Sequence, residues 1–410
     1  MNARRAAELA ARNAYGRLVA YLAAQTRDVA AAEDALGDAF FAALNTWPNH
    51  GVPPQPEAWL LVTARRKLID TARRGQIQAR VLQTLQASAL TTALAPEVEE
   101  MVFPDERLKL LFACAHPAIA PGVHTALMLQ TILGLNAQQI ASAFLVSPTT
   151  MGQRLVRAKA KIRDAGIAFE IPETKDLPAR LQAVLEAIYA VYTLGWENVA
   201  GSDPRHQGLT DEAIWLARLC VQLMPQEAEA KGLLALMLFC EARARARRTA
   251  AGAYVPLSDQ RAELWSQERL GEAEQVLNQA AMAQALGRFQ LEAAIQSAHM
   301  QRVRGQTTDW EAIALLYEGL LQTAPTLGAR VSQVAAIAEA HGPAASWSAL
   351  EKIPSSAVQN YQPYWALKAH LLHQLNQPKA AQAAYQRAMG LSEDGAIREF
   401  LLGRSRLLQT

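Results

Sequence analysis

Residues 138–163 read QQIASAFLVSPTTMGQRLVRAKAKIR, and this stretch predicts two short amphipathic helices joined by a tight turn. Apolar residues recur at helical spacing in both halves, so the two apolar faces can bury against each other. They are Ile140, Ala141 and Phe144 in the first helix, and Met151, Leu155, Ala158 and Ile162 in the second. Ser147 is a suitable N-cap, and Pro148 stands at the first helical position, where its missing N–H costs nothing. The second helix is therefore predicted to begin sharply at this turn.

The polar face of the second helix carries one basic stripe. Opposite the buried face lie Thr150, Gln153, Arg154, Arg157 and Lys161. The residues near the start of the helix offer donors for base edges, and the cations further along suit phosphates. This is the layout of the recognition helix in a helix-turn-helix. A surface helix hairpin with a solvated basic face would show the same pattern, so other segments have to decide between the two.

Composition favours helix throughout the 410 residues. The hydrophobic fraction is 51%, aromatic residues make up only 6%, and no long β-branched run alternates as a strand would. We therefore expect an all-α protein with several compact domains. Cys114, Cys220 and Cys240 lie far apart, so neither a disulfide framework nor a metal site is predicted. No cofactor motif, signal peptide or membrane-spanning stretch is evident, which predicts a cytoplasmic protein.

Composition along the chain suggests four segments. Residues 1–76 form a small helical domain that closes on a basic run, and residues 77–104 become a linker rich in Gln, Ala and Thr and then in Glu. Residues 105–170 form a second helical domain that contains the helix-turn-helix. Residues 171–410 form a third, larger helical region.

The third region contains one stretch with the pattern of a tetratricopeptide repeat. Residues 365–391 place large and small packing residues at the repeat's positions: Trp365, Ala369, Leu372, Ala381, Tyr385 and Ala388. A weaker unit begins at Trp310. Because such hairpins bury their faces only by stacking, we expect a continuous helical array with a concave surface for a protein partner or another part of this chain.

A second basic segment, WLLVTARRKLIDTARR at residues 59–74, combines an aromatic residue with clustered cations. Trp59 begins it, and its cations are Arg65, Arg66, Lys67, Arg73 and Arg74. Stacking and backbone charge together suit single-stranded nucleic acid. A solvated amphipathic helix is the competing interpretation.

An acidic segment precedes it, DVAAAEDALGDAFFAALNTW at residues 28–47. Glu33, Asp34 and Asp38 make an acidic patch, whereas Phe40, Phe41, Leu44 and Trp47 are expected to pack inward. Such a patch on a DNA-binding protein suggests a protein partner with basic groups. An ordinary acidic helix face is again the alternative.

Along the chain the acidic segment comes first, the aromatic and basic segment second and the helix-turn-helix third. In this order and spacing, the three segments resemble the extracytoplasmic-function sigma factors of the bacterial sigma-70 superfamily. The resemblance covers about 165 residues, and the chain beyond it resembles a subgroup with a carboxy-terminal extension related to tetratricopeptide repeats. It implies two small helical domains joined by a linker, which bind core RNA polymerase and promoter DNA, both as duplex and as melted strand. In the subgroup the extension is thought to take over the regulation normally exerted by an anti-sigma factor.

The resemblance also implies residue roles. Glu33, Asp34 and Asp38 would meet the polymerase clamp. Contacts to the upstream promoter element would come from Thr149, Thr150, Gln153, Arg154, Arg157 and Lys161. Contacts to the downstream element would come from Trp59, Arg65, Arg66, Lys67, Arg73 and Arg74, with Asn49 and His50 in the preceding loop beside an extruded base. Gly37 departs from the family, which usually has glutamine there.

Two other classes of function compete with a sigma factor. A stand-alone helix-turn-helix regulator with a sensing array would have no use for the acidic helix followed by the aromatic and basic one, whereas a sigma factor requires both. An enzyme finds no support, because no catalytic constellation and no glycine-rich phosphate loop is present. We therefore expect a promoter-specificity subunit that is not an enzyme.

Overall fold

The computed structural model describes residues 3–75, 105–144, 146–173, 175–197 and 208–409, and these are almost entirely helical. Within these ranges no strand forms, and one antiparallel bridge joins Arg248 to Tyr254. The all-α prediction is confirmed. The predicted linker, residues 77–104, lies outside the described residues. None of the described helices is long and apolar enough to cross a membrane.

The chain divides into two compact units, of which the first contains Met1–Glu197 and the second Thr210–Thr410. The described helices of the first unit are α1 Ala3–Thr26, α2 Val29–His50, α3 Pro56–Gly75, α4 Arg107–Cys114, α5 Pro121–Leu133, α6 Ala137–Ala143, α7 Pro148–Asp164 and α8 Leu177–Glu197. Helix α8 packs on α4 and α5 and so belongs to this unit. The predicted boundary at residue 171 therefore does not coincide with the division of the packing.

Local chemistry sets the ends of these helices. Asp28 caps α2 by accepting a hydrogen bond from the Ala31 amide at 3.1 Å. Gly134 ends α5 in the left-handed conformation, with φ of 66°, and its amide bonds back to the Gln130 carbonyl. The buried Trp47 of α2 meets Trp59 of α3 edge-on, with 5.5 Å between the ring centroids. This contact fixes α2 and α3 beside each other.

The first three helices also pack on the helices of the region in which the helix-turn-helix was predicted. Helix α1 contacts α4 and α5, and α2 contacts α7. At Gly16 the approach is so close that a Cβ atom would lie 2.3 Å from the Ile132 carbonyl oxygen of α5. Only glycine permits this crossing, so the docking of the two predicted domains depends on a residue without a side chain.

The second unit is a series of helix hairpins. Its α-helices are α9 Leu209–Leu223, α10 Ala228–Ala242, α11 Gln267–Ala281, α12 Arg288–Met300, α13 Trp310–Thr323, α14 Leu327–His341, α15 Pro343–Leu350, α16 Ser355–Val358, α17 Gln362–Gln374, α18 Pro378–Leu391 and α19 Gly395–Arg406. Helices α13 and α14 form one hairpin, and α17 and α18 form another. Short 3₁₀ turns occupy part of the segment between α10 and α11.

The predicted repeat packs as its pattern indicates. Five of its six packing residues belong to one buried cluster, and Trp365 lies against that cluster. In the weaker unit Ile313 is fully buried, with Trp310, Ala314 and Tyr317 packed around it. Helix α14 closes that hairpin although its sequence does not fit the repeat, so the weaker unit also packs as a pair of helices.

Candidate functional site

Helix α7 begins as its sequence predicts. The Ser147 hydroxyl accepts a hydrogen bond from the Thr150 amide at 3.1 Å, and Pro148 occupies the first turn. Met151, Leu155, Ala158 and Ile162 are buried, and so are Ile140 and Ala141 of α6. The two apolar faces therefore meet, and α7 begins at the predicted residue.

The residues predicted to contact duplex DNA are all exposed. They are Thr149, Thr150, Gln153, Arg154, Arg157 and Lys161. The Thr150 hydroxyl lies 2.7 Å from the Ser147 hydroxyl, so it shares in the cap. Across the part of the chain that the structure describes, no acidic side chain pairs with Arg154, Arg157 or Lys161. Their charges therefore remain open to an anionic partner.

These three cations face a cavity of about 510 Å³. Its other wall is the loop between α4 and α5 and the first turn of α5, residues 118–123. The amides of a first helical turn carry partial positive charge, which adds to that of the side chains. This side of α7 is therefore strongly electropositive.

The opposite side of α7 is also cationic, but it is turned toward α2. Lys159 Nζ lies 2.6 Å from Glu33 Oε2, and each side chain is only 13% exposed. Arg163 lies 4.0 Å from Asp28 at the start of α2. Burial raises the pKa of the Glu33 carboxyl, and Lys159 opposes that rise. The sequence predicted Glu33 as a surface residue of an acidic patch and gave no sign that Lys159 pairs with it.

The rest of the acidic patch on α2 is open. Asp34 and Asp38 are exposed, and Asp38 pairs loosely with Lys67 of α3 at 3.7 Å. Phe41 is 69% exposed and Leu44 is 46% exposed, so the prediction that both pack inward is wrong. Their helical positions follow Asp34 and Asp38 along one face, where the core side is already filled by alanines and Trp47. The open face of α2 is thus acidic and apolar together.

Helix α3 separates its clustered cations. Arg65 is only 9% exposed, its guanidinium donates to the Tyr21 hydroxyl at 2.6 Å, and it lies 5.0 Å from the centre of that ring. This corrects the expectation that Arg65 contacts DNA, because its position on α3 faces α1. Arg66 and Lys67 are exposed, and Trp59 is half-buried beside Trp47. The side chains of Arg73 and Arg74 lie outside the described residues.

Asn49 and His50 occupy the last turn of α2, whereas the sequence placed them in a loop. The helix continues through Pro48, and Gly51 ends it with φ of 86°. Both side chains are exposed and bond to carbonyls one turn back in their own helix. They therefore lie at the carboxyl end of α2, immediately before the proline-rich turn that leads to α3.

Two segments of the chain match models of known protein families. A model of sigma-70 region 2 matches residues 11–77, which cover most of α1, all of α2 and all of α3. A model of a family of unknown function, DUF6596, matches residues 180–281. Among solved structures, yeast Tom70 aligns with 99% of this chain and 84% of its own, at 11% identity and a TM-score of 0.33, and so weak a likeness carries no argument.

A relative extends over nearly the whole chain. The uncharacterized protein R00370 of Rhizobium meliloti (strain 1021) is 36% identical over 386 residues, which cover 93% of this chain and 90% of that protein. Region 2 is a domain of sigma factors, which bind core RNA polymerase and promoter DNA and are not enzymes. Because of its identity with R00370, the chain belongs to the family that includes that protein. Its region 2 domain supports a role as a sigma-70 factor in promoter recognition and transcription initiation.

Proposed function

We propose that this protein is an extracytoplasmic-function sigma factor whose own carboxy-terminal helical array regulates it. The observation that carries the proposal is the combination, within one compact unit, of a region 2 domain with the helix pair α6 and α7, whose predicted recognition face is exposed. A stand-alone repressor has no use for the region 2 domain. The protein would act in the cytoplasm, where polymerase and promoter DNA are found, without a cofactor or metal.

Helix α7 is proposed to read the upstream promoter element as duplex. Its amino-terminal residues Thr149, Thr150, Gln153 and Arg154 would lie near base edges, and Arg157 and Lys161 near phosphates. The exposure of all six and the electropositive cavity beside them support this assignment.

This assignment predicts different effects for one arginine and one lysine substitution on α7. Arg154→Ala should weaken promoter binding by about 1–3 kcal/mol and relax sequence choice, because a base contact is lost. Lys161→Ala should weaken binding to all sequences alike and lower its salt dependence. Binding isotherms on a promoter library measure both effects, and an equal loss of discrimination in the two variants would contradict the assignment.

The open face of α2 is proposed to contact core polymerase. Asp34 and Asp38 would meet basic groups, and the exposed Phe41 would bury its ring in the same interface. On α3, Arg66, Lys67 and Trp59 are proposed to hold the melted downstream element, together with Arg73 and Arg74 and with Asn49 and His50 at the end of α2. Arg65 is left out, since it holds α3 to α1.

Run-off transcription with purified bacterial core polymerase on a promoter library tests the whole proposal. The full chain should be compared with a form that ends at Glu197, because α8 packs with the first unit and has to stay in the shorter form. We expect initiation at specific promoters and a changed level of activity when the array is removed. If neither form directs initiation at any promoter, the proposal fails.

A further inference from the structure

One predicted polymerase contact is concealed inside the molecule. The Glu33 carboxylate is held by Lys159 of α7 at 2.6 Å, with both side chains nearly buried, while its helix neighbours Asp34 and Asp38 are exposed. A carboxylate in that position cannot meet a polymerase group until α7 leaves it. The contact thus places the helix-turn-helix domain over one end of the acidic face of region 2.

A second feature shows that the packing is also close between α1 and α5. Gly16 on α1 lets the Ile132 carbonyl of α5 approach to a distance that any Cβ atom would forbid. Alanine would suit the interior of α1 better than glycine, so glycine here serves the crossing rather than the helix. Arg163 and Asp28 add a looser charged contact at the far end of α7.

The same packing leaves the DNA-reading side open. Lys159 lies on one flank of the buried face of α7, whereas Arg154, Arg157 and Lys161 lie on the other flank and are exposed. The arrangement therefore covers Glu33, at one end of the acidic face of α2, and leaves the upstream DNA face open.

We propose that this packing is a closed state in which α7 competes with core polymerase for α2, with Lys159 occupying the place of a basic polymerase group on Glu33. This inference rests on the proposed function, since it assumes that α2 docks on polymerase. In the closed state the protein binds duplex DNA and binds polymerase only weakly, because Glu33 is occupied, and tight polymerase binding requires the helix-turn-helix domain to leave α1 and α2.

Two substitutions should open the closed state by different physical means. Gly16→Ala places a methyl group against the Ile132 carbonyl, and Lys159→Glu sets two carboxylates against each other. Each should raise the affinity for purified core polymerase at least about tenfold, because a buried pair or a tight crossing holds the closed state. Gly16→Ala should leave binding to a mixed-sequence duplex unchanged.

Matched controls separate these effects from general ones. Gly271→Ala makes the same change in an open position of α11, and Lys175→Glu reverses the charge of a side chain that is 74% exposed. Neither should change the affinity for polymerase. If both opening variants keep their helix content and still bind polymerase no better than these controls, the closed state is not inhibitory.

A cross-link supplies a test that does not depend on how the opening variants fold. Glu33→Cys with Lys159→Cys is treated with a short bismaleimide. The native cysteines are poor competitors, because burial raises the pKa of the Cys114 and Cys220 thiols to about 12 and also raises the pKa of Cys240. The linked chain should bind polymerase at least about tenfold more weakly than the same variant unlinked, and should still bind duplex DNA. Equal polymerase binding by both forms would overturn the inference alone. Failure of every form, wild type included, to bind polymerase would overturn the proposed function with it.

Discussion

Replacing Arg65 by alanine should destabilise the first unit without acting on nucleic acid. The guanidinium is 9% exposed, donates to the Tyr21 hydroxyl at 2.6 Å and lies 5.0 Å from that ring. A hydrogen bond from a charged donor contributes about 1.5–3 kcal/mol, and a cation over an aromatic ring about 0.5–2 kcal/mol. The two contacts share one side chain and do not add fully, so we expect the free energy of unfolding to fall by about 2–4 kcal/mol.

Denaturant unfolding of the full chain, followed by circular dichroism, measures this loss. Arg66→Ala is the matched control, since Arg66 is the next residue of α3 and is exposed. Its free energy of unfolding should change by no more than about 0.5 kcal/mol, while its binding to single-stranded DNA should weaken. If Arg65→Ala instead unfolds like the wild type and loses single-strand binding as Arg66→Ala does, Arg65 contacts nucleic acid and does not hold α3 to α1.

Three further predictions concern stability. Burial, with Arg243 and Arg302 nearby, lowers the pKa of His299 from its usual 6.5 to about 4. The neutral imidazole therefore stabilises the fold fully above pH 6.5, and the free energy of unfolding should fall by up to about 3 kcal/mol as the pH falls toward 4. Urea midpoints across this range should depend less on pH in His299→Phe; an unchanged dependence would assign the loss elsewhere. Leu372→Ala should lower the free energy of unfolding by about 2–5 kcal/mol, because Leu372 is buried in the core of the α17–α18 hairpin. The exposed Leu407→Ala should lower it by less than about 0.5 kcal/mol, and equal losses in urea unfolding would contradict the packing. Ser147→Ala should lower the free energy of unfolding by about 0.5–2 kcal/mol, because the N-cap of α7 is lost. Amide hydrogen exchange at the start of α7 should become faster than in the wild type, and an unchanged rate would contradict the prediction.

The sequence could predict those features of the site that are set by residues close together in the chain. The N-cap at Ser147, the proline at the first turn and the apolar spacing of α7 are all local, and the structure confirms each. The hairpin of α17 and α18 was predictable for the same reason, because its large and small residues pack mainly on each other. Local spacing is sufficient wherever the partner of a face is the next helix.

The errors arose where a distant element decides which side of a helix is covered. Phe41 was expected in the core because it is aromatic, but the interior of α2 is filled by smaller residues and Trp47. Arg65 was expected on DNA because it stands among cations, but its position on α3 faces Tyr21, 44 residues earlier. Helical periodicity gives the angle between side chains on one helix and carries no information about which other helix lies at that angle.

Helix α7 shows what this ambiguity means for function. Its cations, from Arg154 to Arg163, appear in the sequence as one basic stripe, yet at 3.6 residues per turn they fall on two flanks of the buried face. Arg154, Arg157 and Lys161 remain open on one flank. On the other flank Lys159 pairs with Glu33 of α2, while the exposed Arg163 binds Asp164 of its own helix at 2.8 Å and lies 4.0 Å from Asp28. A helix that served only to bind DNA would gain nothing from withholding Lys159 from phosphate, and a buried pair contributes little net stability compared with apolar packing. Partly buried charges of this kind are better suited to an interface that must separate, because each charge can be rehydrated or paired again once the domains part. The second flank of α7 is thus where competition between self-contact and polymerase should be measured first.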